Sequence, residues 1–238
     1  MQIILFDIDG TLLAKQSTEG DERERFRRAV LEVVGKSPAT EPWKYDGMVD
    51  PEICRLLLTK VGLSPTATAE HLQQVLTQVG EIYLAMEKKP ILNKGVANLL
   101  PILKTSSDHR LGVLTGNLAS VAEEKLRITG IRSHFSEVFY SDGYFNREDL
   151  VRAAVGQCIG KYQLRDPKSV TIVGDTPRDI EAANANNVEA LGAATGFYSA
   201  EQLAEAGATA VFSSLEPSKG LLEALHMKKD WTLGFLSA

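Results

Sequence analysis

Three short stretches of this 238-residue sequence carry side chains whose types and spacing fit chemistry. Asp7-Ile8-Asp9-Gly10-Thr11 sets two carboxylates at an i, i+2 spacing, which on an extended backbone sends both to the same side. Like charges that close repel, and the pair is tolerable when a cation neutralises it or when one carboxylate holds a proton. Gly10 permits a tight turn and close approach of a ligand, and Thr11 offers a cap hydroxyl. Farther on, Thr115-Gly116-Asn117 presents a hydroxyl, an unobstructed backbone and an amide at the opening of a helix, a good cradle for an anion. Finally, Gly174-Asp175-Thr176-Pro177-Arg178-Asp179 places Asp175 and Asp179 one helical turn apart on one face, with Pro177 suited to the first helical position. Taken singly, each stretch also reads as a turn with an N-cap. Their joint appearance at three strand ends is harder to explain by capping alone.

The elements that must bring these stretches together are readable from the hydrophobic pattern. Residues 2–6 are a short, β-branched, nearly continuous apolar run, as in a parallel strand buried on both faces. From about residue 19 to 88 the period turns helical, with Phe26, Val30, Val33 and Val34, then Ile53, Leu56, Leu57 and Val61, then a stripe over 66–86. After Pro90 strands at 111–114, 138–140, 170–173, 188–191 and 210–212 alternate with helices at 119–128, 148–162, 178–185, 200–206 and 217–226. The pattern predicts an α/β fold with a doubly wound parallel sheet, spanning 1–14 and 89–238 and interrupted by an all-α inserted domain at 15–88. In such a sheet ligands bind beyond the carboxyl ends of the strands, where all three stretches fall.

Composition narrows the partners. With 26 basic and 31 acidic side chains the net charge is −5, and the basic residues gather on no one helix, so duplex nucleic acid is not an expected partner. Cys54 and Cys158 lack a CxxC spacing, which argues against a disulfide framework or zinc site and fits a reducing cytoplasm. No window reaches the length of a membrane helix, so a membrane is not an expected partner either. The four histidines have no mutual ligand spacing and read as packing or surface residues. The apolar tail at 231–236 is expected to dock on its own domain, with a monomer or a dimer both open.

In order, spacing and strand context, Asp-x-Asp-Gly-Thr at 7–11, Leu-Thr-Gly-Asn at 114–117 and Gly-Asp-Thr-x-x-Asp at 174–179 resemble the haloacid dehalogenase-like hydrolase superfamily. The helical insert looks like that superfamily's C1 cap, in the phosphoglycolate-phosphatase-like branch, on a Rossmann-like core. The resemblance implies a Mg²⁺-dependent phosphomonoesterase acting on a small phosphorylated metabolite through an aspartyl-phosphate. Asp7 would be the nucleophile and Asp9 the general acid and base. Mg²⁺ would be held by the Asp7 carboxylate, the Asp9 backbone carbonyl and Asp175, with Asp179 orienting a bound water or the loop.

Thr115, Gly116, Asn117 and Arg147 would face the phosphate, Arg147 standing where the family's basic residue is usually a lysine. Lys161 and Lys168 are rivals for that role, and Arg147 also reads as a surface helix-start residue beside Glu148 and Asp149. Gly47-Met48-Val49-Asp50 resembles the cap segment Gly-x-Thr-Asp of related phosphatases, with Val49 in place of Thr. Gly47 and Asp50 are either lining of the substrate site or a turn and N-cap before Pro51. An intact Asp9 disfavours a dehalogenase or phosphonatase. The alternatives are a phosphosugar mutase of the β-phosphoglucomutase type, which Thr115 disfavours because Ser is usual there, and a non-catalytic phosphometabolite-binding regulator.

Overall fold

Strand β1, Gln2–Phe6, sends alternate side chains to opposite faces of a sheet: Ile4 and Phe6 join one apolar cluster, Ile3 and Leu5 another, and all four are fully buried. A strand with helices on both faces has no polar side, which is why its sequence reads as a continuous apolar run. The computed structural model describes residues 1–15, 20–39 and 45–227. Around β1 lie β2 (His109–Leu114), β3 (Glu137–Phe139), β4 (Val170–Gly174), β5 (Glu189–Ala193) and β6 (Ala210–Phe212). All pairings are parallel, in the order β3-β2-β1-β4-β5-β6. The winding direction reverses between β1 and β4, so the crevice beyond their carboxyl ends is where a doubly wound sheet binds its ligand.

Three helices, α1 (Gly20–Val34), α2 (Asp50–Lys60) and α3 (Pro65–Ala85), follow β1. They share a core of their own, built on Phe26, Val30, Leu57, Val75, Val79 and Tyr83. The remaining helices are α4 (Val96–Lys104), α5 (Ala119–Ile128), α6 (Arg147–Tyr162), α7 (Pro177–Ala185), α8 (Ala200–Glu205) and α9 (Lys219–Ala224). Side chains of α4, α5 and α9 cover one face of the sheet, and those of α6, α7 and α8 the other. The helical insert rests on α5: Val121 joins the α1–α3 cluster, and a side chain at Gly80 of α3 would strike the Ser120 hydroxyl.

The strands and helices expected from the pattern are present, with ends moved by one to a few residues. Helix α4 was not expected. Pro101 inside it removes one backbone donor, and the helix persists because Val96, Leu99, Leu100 and Leu103 bury together against the sheet. The tail at 231–236 and residues 16–19 and 40–44 of the expected insert at 15–88 lie outside the described residues.

Candidate active site

The chain leaves β1 at Asp7, leaves β2 at Thr115 and leaves β4 at Asp175, so the sheet's register brings the three sequence stretches to one edge. They line a cavity of about 240 Å³ together with residues of the helical insert. Two glycines make the approach possible. Gly10 has φ +87°, and a Cβ there would collide with the Asp175 carboxylate; one at Gly116 would collide with the Met48 carbonyl.

Oxygen atoms of Asp7, Asp175 and Asp179 all lie within 4.8 Å of one another, and all three residues are buried. Asp179 divides its carboxylate between two tasks. Its Oδ2 accepts hydrogen bonds from the Thr176 backbone N–H (3.0 Å) and hydroxyl (2.7 Å), closing a capping box on α7, whose first turn holds Pro177. Its Oδ1 faces Arg147 and makes an ion pair with it. The Arg147 guanidinium also donates to Asp7 Oδ1 at 2.9 Å. Arg147 is therefore not a surface residue: it is buried, and Glu148 and Asp149 pair with Arg152 instead. Of its rivals, Lys161 pairs with Glu137 at the exterior, and neither it nor Lys168 lines the cavity.

Burial pushes the Asp7 carboxyl up to about 7, against the pull of Arg147 and with repulsion from Asp179 and Asp9 added. Asp175 is raised well above the carboxylate range, first by burial and then by Asp179 and Asp7, with Lys15 partly opposing. Burial works against charge on Arg147 too, but Asp179 and Asp7 outweigh it and its proton is held more firmly. Three converging carboxylates thus face too little positive charge. Asp175 Oδ2 and Asp179 Oδ1 are buried and, apart from their ion pairs with Lys15 and Arg147, have no hydrogen-bond partner among the described residues. An oxygen-only donor set of this kind fits a hard divalent cation such as Mg²⁺.

Asp9 belongs to a different neighbourhood. Its side chain is 39% exposed, and its Oδ1 meets the ammonium of Lys125 at 2.7 Å while Oδ2 accepts from the Asn117 amide at 2.6 Å. Burial alone would raise its proton affinity, but Lys125, Asn117 and Arg25 outweigh burial and hold Asp9 below its usual value. Asn117 is the hub here. Its amide also donates to Thr115 Oγ1 at 3.0 Å, and its carbonyl accepts from Arg25 of α1 at 3.3 Å.

For Asp50 the N-cap alternative fails: the N-cap of α2 is Val49, and Asp50 is buried inside the first turn, where it and Gly47 are among the residues lining the cavity. It accepts from the Leu118 N–H at 3.0 Å and pairs with Arg25 at 3.4 Å, while its own N–H donates to the Gly116 carbonyl at 2.7 Å. Asp142 accepts from the Ala119 N–H at 2.8 Å. The first donors of α5, expected to cradle a ligand anion, are thus partly taken by two carboxylates. Gly47 has φ +73°, and a Cβ there would collide with the Thr176 hydroxyl as one at Gly116 would with the Met48 carbonyl, so the loop at 45–50 sits close on two of the three strand ends.

The pattern missed Lys125, Arg25 and Lys15. Lys125 carried a signal, since it occupies an inward position of α5 beside Val121, Ala122 and Leu126. Arg25 stands four residues before buried Ala29 on α1 and stacks on the rings of Phe26 and Tyr83. Lys15 follows the first motif without a periodic cue.

Comparison with known proteins agrees with this geometry. The chain belongs to the haloacid dehalogenase-like hydrolase family, whose model matches residues 1–187, and it is an enzyme of the phosphatase type. It is 31% identical to a phosphoglycolate phosphatase of Synechococcus elongatus, over 87% of this chain and 90% of that one. It is 24% identical to a phosphoglycolate phosphatase of Vibrio cholerae, with the same coverage of each. A crystal structure of a predicted phosphoglycolate phosphatase from Haemophilus somnus superposes with a TM-score of 0.65 at 20% identity, covering 91% of this chain and 95% of that one, which shows the shared fold. Among the described residues no helix is long and apolar enough to cross a membrane.

Proposed function

We propose that the protein is a Mg²⁺-dependent phosphomonoesterase of small phosphorylated metabolites, with phosphoglycolate the first substrate to test because relatives bear that name. The observation that carries the reading is the convergence of Asp7, Asp175 and Asp179 within 4.8 Å beside buried Arg147. In this reading Asp7, the Asp9 backbone carbonyl, Asp175 and Asp179 hold the metal. When bound, the metal neutralises the carboxylates and the charge that builds on the phosphoryl oxygens.

Asp7 attacks phosphorus as the ester P–O bond breaks, and Asp9 gives its proton to the departing oxygen. Water then attacks the aspartyl-phosphate, Asp9 takes up a proton from it, and phosphate leaves with the Asp7 carboxylate restored. Lys125 and Asn117 favour the ionised Asp9 that the second step needs. A phosphate dianion beside it favours the protonated form that the first step needs. Arg147, Thr115, Gly116 and Asn117 steady the phosphoryl group. Residues 1–14 and 89–238 act as the catalytic core of a cytoplasmic enzyme. Residues 15–88 act as a lid that excludes water and selects the leaving group through Gly47 and the surface near Asp50.

Hydrolysis of p-nitrophenyl phosphate, with and without EDTA, tests the reading. The expected result is Mg²⁺-dependent release of phosphate, reduced more than about 10³-fold in Asp7→Asn protein. Undiminished turnover by that variant would remove Asp7 from the mechanism.

A further inference from the structure

Lys15 is a cation at this site with no part in the chemistry above. It follows the first motif, and its ammonium lies 3.3 Å from Asp175 Oδ2 and 3.1 Å from Asp46 Oδ1. Its side chain is 11% exposed, and Asp175 is fully buried. The ammonium also stands over the Phe197 ring, 4.6 Å from its centroid. The oxygen it approaches is the one on Asp175 that otherwise has no hydrogen-bond partner and belongs to the converging carboxylates.

We propose that Lys15 is a tethered counter-cation for the metal site, neutralising Asp175 when no divalent ion is bound and competing with that ion for the carboxylate. The inference rests on the metal reading given above. When all three are ionised, Asp7, Asp175 and Asp179 carry three negative charges against the two positive charges of Arg147 and Lys15, so one negative charge stays uncompensated. With Lys15 in place that shortage is smaller than it would be without it, and a divalent ion must share the pocket with a unit positive charge close by. The lysine has a second partner to lean on, because Asp46 and the Phe197 face hold the same head group and its flexible stem permits a small swing. Asp46 belongs to the cap loop at 45–50, so metal entry transfers a cation from a core carboxylate to a cap carboxylate. Binding that must displace an internal ion pair is weaker by the cost of breaking it.

Two variants pull in opposite directions. Lys15→Met removes the competitor, whereas Asp46→Asn removes the alternative partner and leaves Lys15 more firmly on Asp175. Mn²⁺ binding, followed without substrate by the loss of the free-ion electron paramagnetic resonance signal, reads both. Lys15→Met is expected to bind Mn²⁺ about three- to tenfold tighter than wild type, the size of a unit charge acting on a divalent ion across a few ångströms of partly hydrated protein. Asp46→Asn is expected to bind about two- to threefold weaker. In EDTA, Lys15→Met protein should melt below wild type and gain more from added Mn²⁺. Equal or weaker Mn²⁺ affinity in Lys15→Met protein would overturn the inference and make the lysine a support for Asp175. If that variant does not fold, unchanged or tighter binding by Asp46→Asn protein overturns it as well. A wild-type protein that takes up no Mn²⁺ would instead overturn the metal reading on which the inference stands.

Discussion

Asp7 and Asp9 are the same side chain two residues apart, yet the fold gives them opposite surroundings. Asp7 is buried beside two further carboxylates and, among the described residues, pairs with one cation, Arg147, which it shares with Asp179. Asp9 is partly open to the cavity and both its oxygens are engaged, one by Lys125 and one by Asn117. Burial lifts the first to about 7, and a nearby ammonium holds the second below its ordinary range. The difference follows from which elements reach each residue. Helix α7 and β4 bring acids to Asp7, whereas α5 and α1 bring Lys125 and Arg25 to the Asp9 side. One half of the site is short of positive charge, as a metal centre requires. The other is saturated, as a group that gives and takes one proton requires.

If the halves differ in this way, damage to the Asp9 side should depend on the leaving group. Asp9→Asn is expected to lower kcat about 10²- to 10⁴-fold on alkyl phosphates. The loss on p-nitrophenyl phosphate should be smaller, since that oxygen departs without needing a proton. Equal losses on both would erase the distinction between the two aspartates. Lys125→Met keeps the carboxylate and removes its cation, for an expected loss of about tenfold on alkyl phosphates. Because Lys125 lowers the Asp9 pKa, its removal should move the acidic limb of the rate profile to higher pH. A pH–rate profile with an unmoved limb would show that Lys125 does not govern Asp9.

The two halves were not equally legible in the sequence. The acid-rich half announced itself, because Asp7 and Asp175 directly follow largely apolar strands and Asp179 lies one helical turn beyond Asp175, where no apolar packing accounts for carboxylates. The sheet was legible for the same reason: strands buried on both faces leave a continuous hydrophobic signature. The cation half was hidden. Arg25 lies about ninety residues before Asn117, and only the fold of α1 against the core makes them neighbours. Lys125 interrupts an apolar stripe, a local inconsistency that marks a buried charge once its partner is known. Asp50 was legible as a cap-loop acid beside Pro51, but its target, the Leu118 N–H, is a tertiary contact. Helix α4 was obscured by Pro101, whose local cost the burial of four side chains outweighs.

The charge shortage on the Asp7 side also predicts how stability varies with pH. A carboxyl whose folded-state pKa is about 7 against an ordinary 3.8 binds its proton more tightly in the folded chain. Its contribution to stability is complete below the unfolded pKa and is lost as pH rises through about 7. Through this group, metal-free protein in EDTA should melt several degrees lower at pH 8 than at pH 5.5. Saturating Mg²⁺ should narrow the gap, because the ion favours the ionised carboxylate. Scanning calorimetry across that range checks both curves. A Mg²⁺ benefit that did not grow with pH would mean that Asp7 is not the group releasing its proton to the ion.

The comparison also needs a boundary between the halves, and Gly116 stands on it. A Cβ there would approach the Arg147 guanidinium at 3.3 Å on the Asp7 side and collide with the Met48 carbonyl of the cap loop. Gly116→Ala should thus push the loop off the core and lengthen the Asp50 N–H bond to the Gly116 carbonyl, now 2.7 Å, while leaving Lys125 and Asp9 together. The expected result is a rise in KM of about two- to fivefold, with a stability loss of about 1 kcal/mol and kcat on p-nitrophenyl phosphate nearly kept. Gly156→Ala is the control. Beyond its chain neighbours and the helix's own backbone, no atom of the described residues lies within 4 Å of a Cβ at that position in α6, so the same chemical change should stabilise the protein by about 0.5–1 kcal/mol. Opposite signs for the two alanines would locate the effect in the close approach of loop and core. A shared sign would mean that the loop yields freely and that cap docking does not restrain the phosphate side of the site.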